Sequence, residues 1–216
     1  MTGPRVSAPP GRAGRIWLDR RLAAARRGAE LLDRKLRILR AELSDLADAA
    51  GQAEQDWRRL AAAADRTLLI ASLLGGQRAI RLATGTGFAA VEVSYTATMG
   101  VRRPAGAACR PPQGPDPWTS QPVAQARQAH RAALAGAVRY ATAARALAVV
   151  EAEAQLTRYR LRAIEDRLIP ALEQARTEVS AAIDELERAD GARLRRAGRQ
   201  PGTAGPSPSS WRAAQD

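Results

Sequence analysis

Apolar residues recur at alternating steps of three and four over two long stretches of the 216-residue chain. In the first stretch, Leu22, Ala29, Leu36, Leu43, Ala50, Trp57 and Ala64 form one series. Leu18, Ala25, Leu32, Leu39, Leu46, Ala53 and Leu60 form the other. These are the a and d positions of an almost unbroken heptad, the pattern of a helix that buries one seam against a second helix. No proline falls between Arg15 and Leu74. At 1.5 Å per residue the stretch predicts a helix of roughly 90 Å, far longer than an ordinary globular helix. Alanines along the seam let a partner backbone come close, while the leucines and Trp57 supply most of the burial.

The second stretch runs Leu147, Val150, Ala154, Thr157, Leu161, Ile164, Leu168, Leu172, Ala175, Val179, Ala182, Leu186 and Ala189. Two consecutive four-residue steps at 164–168–172 make a stutter, which relaxes a supercoil locally. Pro170 lies beside it and predicts a helix bend, at about 3 kcal/mol relative to a good helix former.

Between the two stretches the period falls to two. Val91, Val93, Tyr95, Ala97 and Met99 alternate with Glu92, Ser94, Thr96 and Thr98, which predicts a strand. Its expected hairpin partner lies near Ala107–Arg110. Gly75-Gly76 predicts a helix stop, and Pro104, Pro111, Pro112, Pro115, Pro117 and Pro122 predict loop or extended chain.

The pattern as a whole predicts a mainly α fold, a long antiparallel two-helix coiled coil with a small central insertion holding a short β-hairpin. The expected boundaries are a tail at 1–14, a helix at 15–74, the insertion at 75–122, a second helix at 123–197 and a tail at 198–216. Proline, glycine and serine make both tails read as disordered. The insertion reads as a small cap where the helices join, with both termini at the opposite end. The expected seam comprises Leu22, Leu32, Leu36, Leu39, Leu43, Leu46, Trp57, Leu60, Leu161, Leu168, Leu172, Val179 and Leu186.

Little chemistry accompanies this pattern. Cys109 is the one cysteine, which excludes an intrachain disulfide, and His130 is the one histidine, which excludes a clustered histidine metal site. Lys35 is the only lysine, so no phosphate-binding loop ends in Gly-Lys-Ser/Thr, and Gly85-Thr86-Gly87 is too short for a dinucleotide fingerprint. The reading therefore assigns no catalytic, cofactor-binding or metal-binding residue and no cofactor. No apolar run approaching the ~20 residues of a membrane span is expected, nor a signal peptide, so the chain reads as soluble and intracellular with no direct membrane insertion.

Charge adds the strongest further signal. Thirty-four Lys and Arg residues against 22 Asp and Glu leave a net charge of +12. Arg20, Arg21, Arg26, Arg27, Arg34, Lys35, Arg37 and Arg40 crowd the first half of the N-terminal helix, and Arg193, Arg195 and Arg196 close the C-terminal one. An antiparallel pairing predicts that these two groups meet. Three readings stay open: a solvated charged face, a positive surface for an acidic protein socket, and nucleic-acid binding. The third lacks a recognition-helix layout and an aromatic stacking platform. A free-standing coiled-coil scaffold or adaptor is the alternative on the same fold.

Three strings resemble the D subunit family of V-type ATPases and ATP synthases. They are the basic opening from Arg20 to Lys35, Val91-Glu92-Val93 with its continuation to Gly100, and Arg162-Ala163-Ile164-Glu165-Asp166-Arg167-Leu168-Ile169-Pro170. Arg193-Leu194-Arg195-Arg196 follows in the family's order. The resemblance covers about residues 12 to 197 and implies a non-catalytic central rotor shaft. It implies torque transmission between ATP hydrolysis or synthesis in a head of A and B subunits and ion, chiefly proton, translocation in a membrane sector. The implied partners are the A and B subunits, the small F subunit of the stalk and the funnel-shaped subunit above the membrane rotor ring. The implied location is cytoplasmic, peripheral to the cell membrane, with no specific nucleic acid. By the same resemblance Arg20, Arg21, Arg26, Arg27, Arg34, Lys35, Arg193, Arg195 and Arg196 contact the head, and Val91, Val93, Tyr95 and Met99 serve as central-insertion contacts near the membrane sector.

Overall fold

A computed structural model describes residues 6–84, 87–112 and 120–199. The expectations for the outermost tails, for Gly85-Thr86 and for the loop around Pro115 and Pro117 lie outside the described residues. The elements in order are α1 (Gly11–Ala83), β1 (Ala90–Thr98), β2 (Val101–Arg110), α2 (Gln121–Ala163), a π-helical turn (Ile164–Leu168) and α3 (Ile169–Arg199). The fold is mainly α, with N- and C-terminal helices around a small central hairpin. It divides into two compact units, one made of the chain ends up to Gly28 and from Ala163, the other of Ala29–Arg162.

In the chain-end unit, Leu18, Leu22 and Ala25 of α1 pack with Leu172 and Ala175 of α3, flanked by Trp17, Ile164, Leu168 and Val179. Three ion pairs fix the direction. Arg26 meets Glu173 at 2.7 Å, Asp19 meets Arg176 at 2.6 Å, and Arg12 meets Glu187 at 2.6 Å. Numbers rise on α1 as they fall along α3, so the helices run antiparallel.

The seam departs from the sequence reading at its end. Leu186 is 61% exposed, whereas Ile183 is buried at 7%. After Leu172 and Ala175 the apolar positions step four to Val179 and four again to Ile183. Eleven residues in three steps is about 3.67 per turn, the phase of a relaxed or slightly right-handed pair rather than of a strict heptad.

The stutter and Pro170 find one structural answer. Ile169 N–H donates to the carbonyl of Ile164, five residues back, which defines the π-turn. In a regular helix the Pro170 ring would press on the carbonyl of Asp166 and leave it without a donor. One extra residue in the turn displaces that carbonyl and shifts the buried face, so Leu168 and Leu172 both reach the core.

In the other unit, Leu36, Leu39, Ala50 and Ala64 of α1 and Ala146, Val150, Ala154 and Leu161 of α2 are buried. Leu32, Leu43, Leu46, Trp57 and Leu60 are half-buried. Lys35 reaches Glu153 at 2.6 Å, and Trp57 stacks on Tyr140 with centroids 5.5 Å apart and planes 6° from parallel. A Cβ on Gly136 would meet Leu60 Cδ1 at 2.9 Å and Trp57 Cα at 3.5 Å, so the missing side chain admits α1 at close range. This pairing is antiparallel too.

At Gly76 the backbone takes φ 70° and ψ 163°, outside the helical range and open chiefly to glycine. The break lets Ala79, Ile80 and Ala83 join Ala71, Val123 and Ala126 in one small apolar cluster. The helix stop expected at Gly75-Gly76 is therefore an interruption, and helix continues to Ala83.

The hairpin pairs Ala90 with Arg110 through to Thr98 with Val101 around Met99-Gly100, whose φ values of 50° and 79° suit a two-residue primed turn. The partner expected near Ala107–Arg110 is the distal half of β2. A register shift between Ser94 and Tyr95 leaves Ala105 as the bulged residue. The hairpin tip rests on α1: Arg103 Nε donates to Glu42 at 2.7 Å and Thr98 Oγ1 donates to the same carboxylate at 3.1 Å. Glu42 precedes Gly76 by roughly nine helical turns. The hairpin is thus not the expected cap at the helix joint.

The helical span Gln121–Gly198 contains an 18-residue window of mean hydropathy 1.3, long and apolar enough by length and composition to cross a membrane.

Candidate bearing and docking surfaces

In the chain-end unit Arg20, Arg21, Arg26 and Arg27 are exposed on α1. Their surroundings differ. Arg26 is held by Glu173, and the Arg21 guanidinium lies over the Trp17 ring, 5.3 Å from its centroid. Arg20 and Arg27 stand on the same solvent-facing side of the helix, away from the Leu18–Leu22–Ala25 seam. On α3, Arg193 pairs with Asp190 at 3.0 Å, and Arg195 and Arg196 are exposed.

The two basic groups do not meet. Asp19 lies opposite Arg176, and Arg193 is about 25 Å further along α3 at 1.5 Å per residue. The last arginines do not lie opposite the first. Instead, α3 continues past the residue that faces Arg12.

Arg34 and Lys35 belong to the other unit. Arg34 is exposed. Lys35 is about three-quarters buried in its pair with Glu153, with side-chain exposures of 22% and 24%. It ties α1 to α2 and offers little charge to a partner.

The hairpin presents the opposite character. Val91, Val93, Tyr95 and Met99 are all exposed, as is Phe88 just before β1. Val91 pairs with Cys109 and Val93 with Ala107, so the exposed face is apolar across both strands. Arg102 lies over Tyr95 at 4.4 Å, and Arg110 meets Glu92 at 3.0 Å. The Arg103–Glu42 pair that seats this hairpin is mostly buried, at 19% and 14% side-chain exposure.

Glu42, Arg103, Thr98, Glu153 and Tyr140 were not identifiable as structural contacts from periodicity. Tyr140 carried a usable signal, since aromatics are 4% of the chain and one stood opposite Trp57 in an antiparallel register. Glu42 carried none, because its partners lie in the hairpin.

His130 is exposed, with its Nδ1 2.9 Å from the Ala126 carbonyl, and Cys109 is a half-buried free thiol in β2. No group of three or more His, Cys, Asp or Glu side chains among the described residues is placed to hold a metal ion.

Residues 15–199 match the model of the ATP synthase D subunit family, a span that includes nearly all of α1, the hairpin, α2 and α3. The chain belongs to that family. It is similar to the V-type ATP synthase D subunit of Anaeromyxobacter dehalogenans (strain 2CP-C), with 31% identity over 196 residues, 86% of this chain and 92% of that protein. It is also 29% identical over 197 residues to the V-type ATP synthase D subunit of Thermotoga neapolitana, covering 88% of this chain and 97% of that protein. The D subunit is a non-catalytic component.

Proposed function

We propose that this chain is the central shaft of a V-type ATPase or ATP synthase. It transmits torque between ATP hydrolysis or synthesis in the A/B head and ion translocation, of protons, in the membrane sector. The observation that carries the reading is the family match from 15 to 199, which embraces both antiparallel helix pairs and the hairpin without interruption. Paired helices resist twisting better than a single helix, because interhelical contacts oppose rotation of either one.

In this reading the exposed arginines Arg20, Arg21, Arg27 and Arg34 face the head, with Arg26 contributing between its Glu173 contacts, and Arg193, Arg195 and Arg196 provide a second basic surface on α3. Solvated arginines attract an acidic wall over distance without locking one rotary position. The hairpin's Val91, Val93, Tyr95 and Met99 contact a stalk partner, the small F subunit or the funnel-shaped one. The chain resides at the cytoplasmic side of the membrane as a peripheral part of the complex, and the apolar stretch of α2 stays outside the bilayer.

Affinity purification of the tagged full chain from its own cells in mild detergent, with mass spectrometry and an ATPase assay, tests the reading. Stoichiometric A, B and F subunits with ATP hydrolysis are expected. Their absence, from cells shown to express them, would refute it and leave a free-standing scaffold.

A further inference from the structure

The two strands of the hairpin are not equivalent. Along β1 every residue from Ala90 to Ala97 is exposed and only Thr98 is half-buried. On β2, Val101 and Pro104 are buried and Arg103 is anchored to Glu42. The hairpin therefore rests on its helix through β2 and the turn, and turns β1 outward.

Among the described residues the sheet has two strands, so β1 pairs there along one side only. In an antiparallel pair, alternate residues direct both N–H and C=O to the neighbour, and those between direct theirs to the opposite side. Half of β1's backbone groups consequently line an open edge nine residues long. Natural sheets guard such edges with proline, charge or a bulge. β2 has all three, in Pro104, Arg102, Arg103 and Arg110 and the bulged Ala105. β1 has no proline and no bulge, and its single charge, Glu92, is engaged by Arg110. An unguarded edge beside three exposed apolar side chains, Val91, Val93 and Tyr95, is a template for strand pairing.

We propose that the open edge of β1 receives an extended strand from another subunit of the assembly. Its alternate side chains are apolar and lie over Val91, Val93 and Tyr95, and one carboxylate reaches Arg102. Charge selects this chemistry. Arg110 compensates Glu92 and Arg103 compensates Glu42, whereas among the described residues Arg102 has the Tyr95 ring beneath it on this face and no carboxylate. Size argues against a second copy of the chain as occupant. A twofold β1–β1 pairing offers nine residues a side, against the roughly 20–30 a side of a stable interface. A subunit that also covers neighbouring surface meets that requirement. The proposal rests on the reading of the chain as part of a larger assembly.

Residue-resolved hydrogen exchange on the purified assembly and on the isolated full chain tests it. In the assembly, the alternate β1 amides that do not pair with β2 are expected to slow by about 100-fold or more, while they exchange fast in the isolated chain. Val93→Lys and Arg102→Glu, both at exposed positions, are expected to restore fast exchange at those amides. Continued protection of the β2-paired amides would show the hairpin still folded. If the assembly contains the chain but its outward β1 amides exchange as in isolation, strand addition is overturned and the shaft reading stands. Protection in the isolated chain that grows with concentration would make a second copy the occupant and overturn the proposal. If no assembly containing the chain is recovered, the shaft reading fails and the proposal fails with it.

Discussion

Thr157 is fully buried on α2 and its hydroxyl has no hydrogen-bond partner among the described residues. A buried hydroxyl left unpaired costs about 1–3 kcal/mol. Thr157→Val keeps the branched shape and removes the polar atom, so it is expected to stabilise the fold by about 1 kcal/mol. A thermal melt reads this as a raised Tm, and a lowered Tm would mean that the hydroxyl is satisfied in solution. A polar residue on a seam can also mark register, which gives its retention a physical reason. The Trp57–Tyr140 stack is the other residue-scale contact with a measurable share. Replacing each ring by leucine, singly and together, is expected to give a coupling of about 0.5–1.5 kcal/mol in a double-mutant cycle. A coupling near zero would show that the rings contribute buried area and no pair-specific attraction.

Among elements, the π-turn and the hairpin seat carry the predictions. A proline in a regular helix interior costs about 3 kcal/mol relative to alanine. Here the π-turn before Pro170 has already relieved the ring's clash, so Pro170→Ala is expected to stabilise by clearly less than that figure in denaturant unfolding. A gain of the full amount would show that the turn relieves nothing. At the hairpin seat, Arg103→Ala leaves the Glu42 carboxylate mostly buried with its charge uncompensated, and Glu42 Oε2 already lacks a partner among the described residues. Removing one member of a buried pair costs about 3–5 kcal/mol, more than replacing both with apolar residues of similar size. Arg103→Ala is therefore expected to release the hairpin, read as faster protease cleavage at β2, and the Glu42→Leu/Arg103→Met pair to be cut more slowly than the single variant. These elements also mark where the sequence was legible. Heptads located Leu22, Leu36 and Leu172 because helix packing repeats locally along the chain. Period two located β1 for the same reason. Neither signal reached the Glu42–Arg103 seat, which joins residues 61 positions apart, and strict heptads misplaced Leu186 because the helix phase relaxes after the π-turn.

For the whole molecule, the net charge of +12 governs how it meets its partners more than how it folds. Exposed ion pairs contribute little stability each, so the arginines outside the seams are free to serve association. The proposed shaft role turns that surplus into a specific expectation, attraction to an acidic wall of the A/B head. Arg20 and Arg27 are the residues with which to test it, being exposed and clear of the apolar seam that joins α1 to α3. A double reversal, Arg20→Glu with Arg27→Glu, is expected to leave the melting temperature nearly unchanged. It should slow association with purified A/B head about tenfold or more at low salt, since charges at an interface rim act mainly on the encounter rate. Raising the salt should close the gap with the unaltered chain as the Debye length falls from about 10 Å at 0.1 M to about 3 Å at 1 M. Stopped-flow association at several ionic strengths separates the two cases. A change confined to dissociation, insensitive to salt, would show that these arginines make fixed short-range contacts. Such contacts would hold a shaft at one angle, and the bearing role would then have to move to another surface.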